Sequence, residues 1–190
     1  TVLLVVDVQN DFCHIDGKLA RNPGFDRRGL GETLQRIDQL AAEARLRRIP
    51  VIWVQAIYDR KYLAGPALLR RLGKDEDGDL CREGSWGAEL TLKPAEQDRI
   101  LVKHRYSAFH ATGLDTLLRE IGRDSVVVAG VTTNTCVMAS ALDASFHGFF
   151  PIIPSDCVWS GAIDAHALIL REAARLYADV LPSGALLERW

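Results

Sequence analysis

A chain of 190 residues, 48% hydrophobic and 25% charged, is long enough to bury one sizeable core and has the composition of an ordinary globular protein. A formal net charge of -2, with no long run of one sign, argues against nucleic acid or an anionic membrane surface as the main partner. No run of about 18 apolar residues occurs, so no membrane-spanning helix is expected.

Thr1 opens directly on a strand-like run, without the basic, apolar and cleavage segments of a secretory leader. Cys13, Cys81, Cys136 and Cys157 are scattered without CxxC spacing. A disulfide scaffold is therefore not expected, and a reduced, cytoplasmic setting is. No repeat, low-complexity tract or linker breaks the chain, so one domain over residues 1–190 is expected.

Val2 to Val8 is an apolar run carrying Asp7 near its end, and reads as a buried parallel strand. Leu30, Leu34, Ile37, Ala41 and Ala44 repeat at helical spacing, which predicts a helix from about Arg28 to Arg48. Pro50 ends it, and Val51 to Ile57 reads as the second strand. Tyr58 to Asp98 is a long insertion with several glycines and mixed charge, expected to be functional or to carry short helices. Ile100 to Lys103 is a third strand, and Thr112 to Ile121 a helix. Val126 to Ala129 is a fourth strand, broken by Gly130. Thr132, Thr133, Asn134 and Thr135 supply capping side chains, so a helix starts near Thr133 with Cys136 in its first turn and Gly148 closing it. Phe149 to Pro154 is a fifth strand. A last helix runs from Ala162 to Tyr177, with Ile163, Ala167, Leu170, Ala174 and Tyr177 on one face, and Asp179 to Leu181 is a short sixth strand.

Alternating strands and helices predict an α/β fold of three layers, Rossmann-like, with a mostly parallel six-stranded sheet and helices on both faces. An order of 3-2-1-4-5-6 puts strands one and four together at the switch point, where open sheets bind ligands at the carboxyl ends of their strands. Asp7, Lys103 and Cys136 then converge on one crevice. Each has an ordinary explanation: Asp7 as a loop anchor, Lys103 as a solvated strand end, Cys136 as a small buried hydrophobe. Together they form a constellation that can cleave an amide in two steps. Cys136 is the nucleophile, its thiolate favoured by the helix start and by Lys103. Asp7, flanked by apolar residues, is the base, and backbone N–H groups of the Val131–Thr132 turn and of Cys136 face the oxyanion.

These residues lie in segments that resemble the isochorismatase-like cysteine hydrolases over nearly the whole chain: LLVVDVQNDF (Leu3 to Phe12), GSWGAEL (Gly84 to Leu90), VKHRYSAF (Val102 to Phe109) and GVTTNTCV (Gly130 to Val137). The resemblance implies a catalytic triad of Asp7, Lys103 and Cys136 and a non-proline cis peptide at Val131–Thr132. True isochorismatases of the family lack the cysteine, so Cys136 disfavours that reaction. Nicotinamidases of the family carry an Asp-x-His pair after the second strand and a further histidine, binding a metal. Here that stretch is WVQAIYDRKY, without histidine, and the five histidines show no ligand spacing. No catalytic metal and no cofactor are expected.

The GSWGAEL and KHRYSAF segments look most like the branch that hydrolyses ureido and carbamoyl compounds. The resemblance also implies a homo-oligomer, dimer or tetramer. The expected partner is a small amide or ureide. Phe12, Trp86 and Arg105 are candidates to contact it, against plain core packing for the two aromatics and surface pairing for Arg105. Asn10 is expected to bond backbone near the site, and Cys13, Cys81 and Cys157 read as bystanders. The alternatives are a nicotinamidase-like amidase, a catalytically idle family member acting as an interaction protein, and a thiol redox sensor with a resolving cysteine within disulfide reach.

Overall fold

The computed structural model describes residues 1–22, 24–62 and 80–190. Its frame is a parallel sheet of seven strands: β1 (Val2–Val6), β2 (Val51–Ala56), β3 (Arg99–Lys103), β4 (Ser125–Val131), β5 (Phe150–Pro154), β6 (Val158–Trp159) and β7 (Asp179–Leu181). The order is β3-β2-β1-β4-β5-β7, and the two-residue β6 pairs with β4 off this path. The expected order therefore holds, with the outermost strand at the expected Asp179–Leu181. The short β6 was not foreseen, because two residues carry no periodicity.

The apolar run of β1 is buried on both faces. Leu3 and Val5 enter one core with Trp53, Val127 and Ala129, while Val2, Leu4 and Val6 enter the other with Ile52, Val54 and Val128. Helix α1 (Asn10–Cys13) follows β1, and α2 (Leu30–Leu46) lays Leu30, Ile37, Leu40, Ala41 and Ala44 on the first core. Helices α3 (Leu114–Glu120), α4 (Met138–Phe146) and α5 (Ile163–Leu176) cover the second face, and the short α6 (Ser183–Leu187) returns to the first.

Two expectations need correction. The inward stripe of α5 is not the one predicted. Ala173 is buried, and Leu170 and Tyr177 pack on the core, but Ile163, Ala167 and Ala174 face outward. The helix is apolar over more than one face, so spacing alone chose the wrong stripe. The cysteine-bearing helix also does not start as a capped α-helix. Residues Thr133–Val137 form a single wide turn, with Val137 N–H donating to Thr132 O at 3.3 Å, before α4 begins. No side chain caps it: Thr133 Oγ1 instead bonds His166 Nδ1 at 2.8 Å, and Asn134 Oδ1 accepts from Ser160 Oγ at 2.7 Å. These threonine and asparagine side chains anchor the turn to α5 and β6 rather than to its own backbone.

Within the Tyr58 to Asp98 insertion, the described residues carry two short 3₁₀ turns, Arg60–Tyr62 and Trp86–Ala88. The rest of what was expected of that insertion falls on 63–79, outside the described residues.

Candidate active site

The three strands that supply the chemistry are held in register at the sheet's centre and edge. Val6 pairs with Val54 on one side and Gly130 on the other, and Ala56 pairs with Lys103. The carboxyl ends of β1, β2, β3 and β4 therefore meet. Asp7 leaves β1 with a φ of 54°, a left-handed conformation that aspartate tolerates better than most residues. Gly130 lies so close to β1 that a Cβ there would sit 2.1 Å from Val6 O, and its φ is 119°. Only glycine lets β4 pass this near, and the cis peptide Val131–Thr132 follows immediately.

Asp7, Lys103 and Cys136 come together as the strand order predicts. Lys103 Nζ lies 2.8 Å from Asp7 Oδ2 and 3.5 Å from Cys136 Sγ, and both charged side chains are fully buried. Lys103 also donates to Arg105 O at 2.9 Å and to the Tyr58 hydroxyl at 3.1 Å. Neither Asp7 oxygen makes a hydrogen bond of ideal geometry, and the donors that face the carboxylate are the Lys103 ammonium and the Cys136 thiol. Lys103 is not the solvated strand end of the ordinary reading, because β3 packs Leu101 on the second core, buries Lys103 fully and leaves Ile100 and Val102 exposed.

Burial pushes the Asp7 carboxyl up, against the opposing pull of the Lys103 ammonium. Burial alone would lower Lys103, but Asp7 and Cys136 outweigh it and hold the ammonium above its usual range. Cys136 is pushed up to about 12 by burial and then by the Asp7 charge, with Lys103 opposing. Burial and Asp7 thus work against the thiolate that the helix start and Lys103 were expected to favour: loss of solvent costs the anion more than one lysine, already neutralised by Asp7, returns.

The segment around residues 81–91 is tied down by the residues after β1. Gln9 Nε2 donates to Ala56 O and Ala88 O, at 2.9 and 2.8 Å, and its Oε1 accepts from Ala56 N. Asn10 Nδ2 donates to Trp86 O at 2.9 Å, the backbone contact expected of it. Buried Asp11 accepts from Cys81 N at 2.7 Å, and a Cβ on Gly87 would meet its carboxylate at 2.3 Å. Thus Gln9, Asn10 and Asp11 clamp the chain around residues 81–91. Of these, Gln9 and Asp11 escaped sequence reasoning, because their partners lie 70 or more residues away or on another strand.

The candidate contact residues have distinct settings. Phe12 is buried in the first core, and Trp86 is 45% exposed with its ring edge-on to His14. The Arg105 guanidinium donates to Tyr62 O and His104 O. Tyr58, not singled out from the sequence, is buried with its hydroxyl 3.5 Å from Cys136 Sγ. Its only sequence signal was its place just beyond β2, beside strands one and three. Cys81, read as a bystander, is buried close enough to feel the charges of Asp7, Asp11 and Lys103. Among the described residues, no group of three or more His, Cys, Asp or Glu side chains is arranged to hold a metal ion.

The sequence matches the Isochorismatase domain over residues 1–184. The chain belongs to the isochorismatase family. Ureidoacrylate amidohydrolase RutB of Methylobacterium radiotolerans is 35% identical, over 82% of this chain and 66% of its own length. The enzyme of the same name from Acinetobacter baylyi is 33% identical, over 87% of this chain and 74% of its own. This isochorismatase-family chain thus spans about two thirds to three quarters of those relatives. A cysteine hydrolase from Pseudomonas syringae pv. phaseolicola shares the fold with a TM-score of 0.86 at 23% identity, covering 99% of this chain and 91% of that one. The N-carbamoylsarcosine amidase from Thermoplasma acidophilum superposes with a TM-score of 0.78 at 29% identity, covering 96% and 95%.

Proposed function

We propose that this family member, as one domain over residues 1–190, hydrolyses a small linear amide, ureido or N-carbamoyl C–N bond through a thioester on Cys136. One observation carries the reading: a thiol, an ammonium and a carboxylate, from three strands far apart in sequence, meet in a buried cluster. The names of the relatives, ureidoacrylate amidohydrolase and N-carbamoylsarcosine amidase, support the bond type.

Burial and the Asp7 charge hold the Cys136 thiol above its usual range, so it enters the reaction protonated. The proton therefore leaves as the sulfur attacks. Cys136 Sγ bonds to the substrate carbonyl carbon, its proton passes to Asp7, and the carbonyl electrons move onto oxygen. Backbone N–H groups at Thr132 and Cys136 face that oxyanion in this scheme. Asp7 returns the proton to the leaving nitrogen as the C–N bond breaks, releasing ammonia or an amine. Water, deprotonated by Asp7, then splits the thioester. Lys103 keeps its proton throughout and balances Asp7. Phe12, Trp86 and Arg105 are proposed to shape the substrate end of the pocket. The enzyme acts as a homo-oligomer, dimer or tetramer, in a reduced, cytoplasmic setting that keeps its cysteines free.

Ammonia release across ureido acids, N-carbamoyl amines, nicotinamide and simple amides tests this, with Cys136→Ala alongside. Turnover of a ureide or carbamoyl compound that disappears in Cys136→Ala is expected. Turnover that survives the substitution rejects the thioester route, and preference for nicotinamide rejects the substrate class.

A further inference from the structure

The Tyr58 hydroxyl touches the sulfur that the proposed reaction uses, and nothing in the triad accounts for it. Tyr58 lies two residues beyond β2, 2% exposed, and its backbone N–H donates to Cys81 O. Its ring stands edge-on to Tyr106, with Lys103 Nζ 5.3 Å from the ring centroid. Three polar atoms surround its oxygen: Lys103 Nζ at 3.1 Å, Cys136 Sγ at 3.5 Å and Arg105 O at 3.5 Å.

Proton accounting narrows what this hydroxyl does. An ammonium only donates, so the phenol oxygen accepts from Lys103. The phenol proton is then left for Cys136 Sγ or Arg105 O. Arg105 O already accepts from Lys103 at 2.9 Å. A neutral thiol is a weak acceptor, whereas a thiolate is a strong one, so the proton turns to sulfur as the S–H bond breaks.

We propose that Tyr58 is a further catalytic residue, a second hydrogen-bond donor to the Cys136 sulfur that shares with Lys103 the charge formed there. This rests on the reading of Cys136 as nucleophile. In the step concerned, the Cys136 S–H bond breaks, its proton goes to the Asp7 carboxylate, and the electron pair stays on sulfur. Tyr58 and Lys103 both keep their protons. The groups facing the phenol are Asp7 after β1, Lys103 on β3, Cys136 on the 133–137 turn, and Cys81. Burial first, and then the charge that Cys136 carries once ionised and that of Asp7, hold the phenol well above its ordinary range. It therefore serves as a donor and not as a base.

The test needs no substrate. Alkylation of Cys136 by iodoacetamide is followed by peptide mass spectrometry against pH, in the intact protein and in Tyr58→Phe, with Cys13 and Cys157, away from the phenol, as internal controls. Tyr58→Phe keeps the ring and removes only the hydroxyl, and a thermal melt reports whether it folds. A hydrogen bond to a charged group of ordinary strength corresponds to a loss of about tenfold to a hundredfold in labelling rate at neutral pH, with the profile displaced upward by about one to two pH units. Labelling of Cys136 at the wild-type rate at every pH overturns the proposal.

If Tyr58→Phe does not fold, 3-fluorotyrosine in place of all four tyrosines makes the phenol a stronger donor. Faster labelling of Cys136 supports the role, and an unchanged rate overturns it. Because labelling is independent of turnover, an inactive wild type with slowed labelling in Tyr58→Phe would reject the hydrolase reading alone. An active wild type with unchanged labelling would reject this proposal alone.

Discussion

Replacing Lys103 by methionine should cost more stability than replacing both Lys103 and Asp7. The two side chains are fully buried and 2.8 Å apart, so each supplies most of what the other lost with its solvent. Lys103→Met keeps the stem but leaves the Asp7 carboxylate buried with no counter-charge. Breaking one side of a buried pair costs about 3–5 kcal/mol, whereas a neutral pair of similar volume is often near neutral. Lys103 also donates to Arg105 O and Tyr58, and those acceptors stay unserved in both variants. Recovery in Asp7→Asn/Lys103→Met is therefore incomplete, about half or more of the loss.

The pH dependence has a definite sign. Asp7 is already raised from 3.8 by burial, and without Lys103 it rises further. The folded variant then binds a proton that the unfolded chain has released, so its stability falls as pH rises above the unfolded value, by up to about 1.4 kcal/mol per pH unit until the folded pKa is passed. Urea unfolding of the single and double variants and the wild type, at acid and neutral pH, measures all of this. A Lys103→Met loss below about 1 kcal/mol, or a double variant no better than the single, would refute the reasoning that the pair is mutually compensating.

Three further outcomes are expected. In Gly130→Ala, the new Cβ meets Val6 O at 2.1 Å with a φ of 119°, so overpacking and backbone strain together should cost about 3–5 kcal/mol in urea unfolding; a midpoint near wild type would mean β1 and β4 part easily. Asp98 is buried, which would raise it, but Arg45, Trp53 Nε1 and Ala95 N–H outweigh that and hold it below 3.8. Its contribution is present above the unfolded value and is lost as pH falls through the folded one, so Asp98→Asn should be less stable at neutral pH yet flatter in acid, as followed by thermal melts. For the reaction itself, Asp7 must be ionised to take the thiol proton, so kcat/KM should fall as pH drops through its raised pKa. Asp7→Asn should abolish turnover across that range rather than displace the limb.

The α/β order and the meeting of Asp7, Lys103 and Cys136 were legible in the sequence for a physical reason. Strands buried on both faces, such as Val2–Val6 and Ser125–Val131, must be apolar throughout, so a polar residue just past their ends is conspicuous and the sheet's topology does the rest. Local pattern likewise marked α2, whose single apolar stripe has one place to go. The inward face of α5 was not decided locally, because Ile163, Leu168 and Leu176 compete with Leu170 and Tyr177 for burial and only the neighbouring β-strands choose.

The protonation state of Cys136 was beyond the sequence as well. A cysteine at a helix start beside a lysine reads as a thiolate, but depth of burial and the proximity of Asp7 are tertiary quantities, and they reverse the sign. Tyr58, Gln9 and Asp11 belong with it. Their roles depend on which distant backbone or sulfur atom comes within about 3 Å, and a one-dimensional pattern holds no such distance. The sequence by itself therefore determined the strand run, its order and the convergence of Asp7, Lys103 and Cys136. Only the tertiary structure decided the burial that shifts their titration, their company and the clamp that Gln9, Asn10 and Asp11 make on residues 81–91.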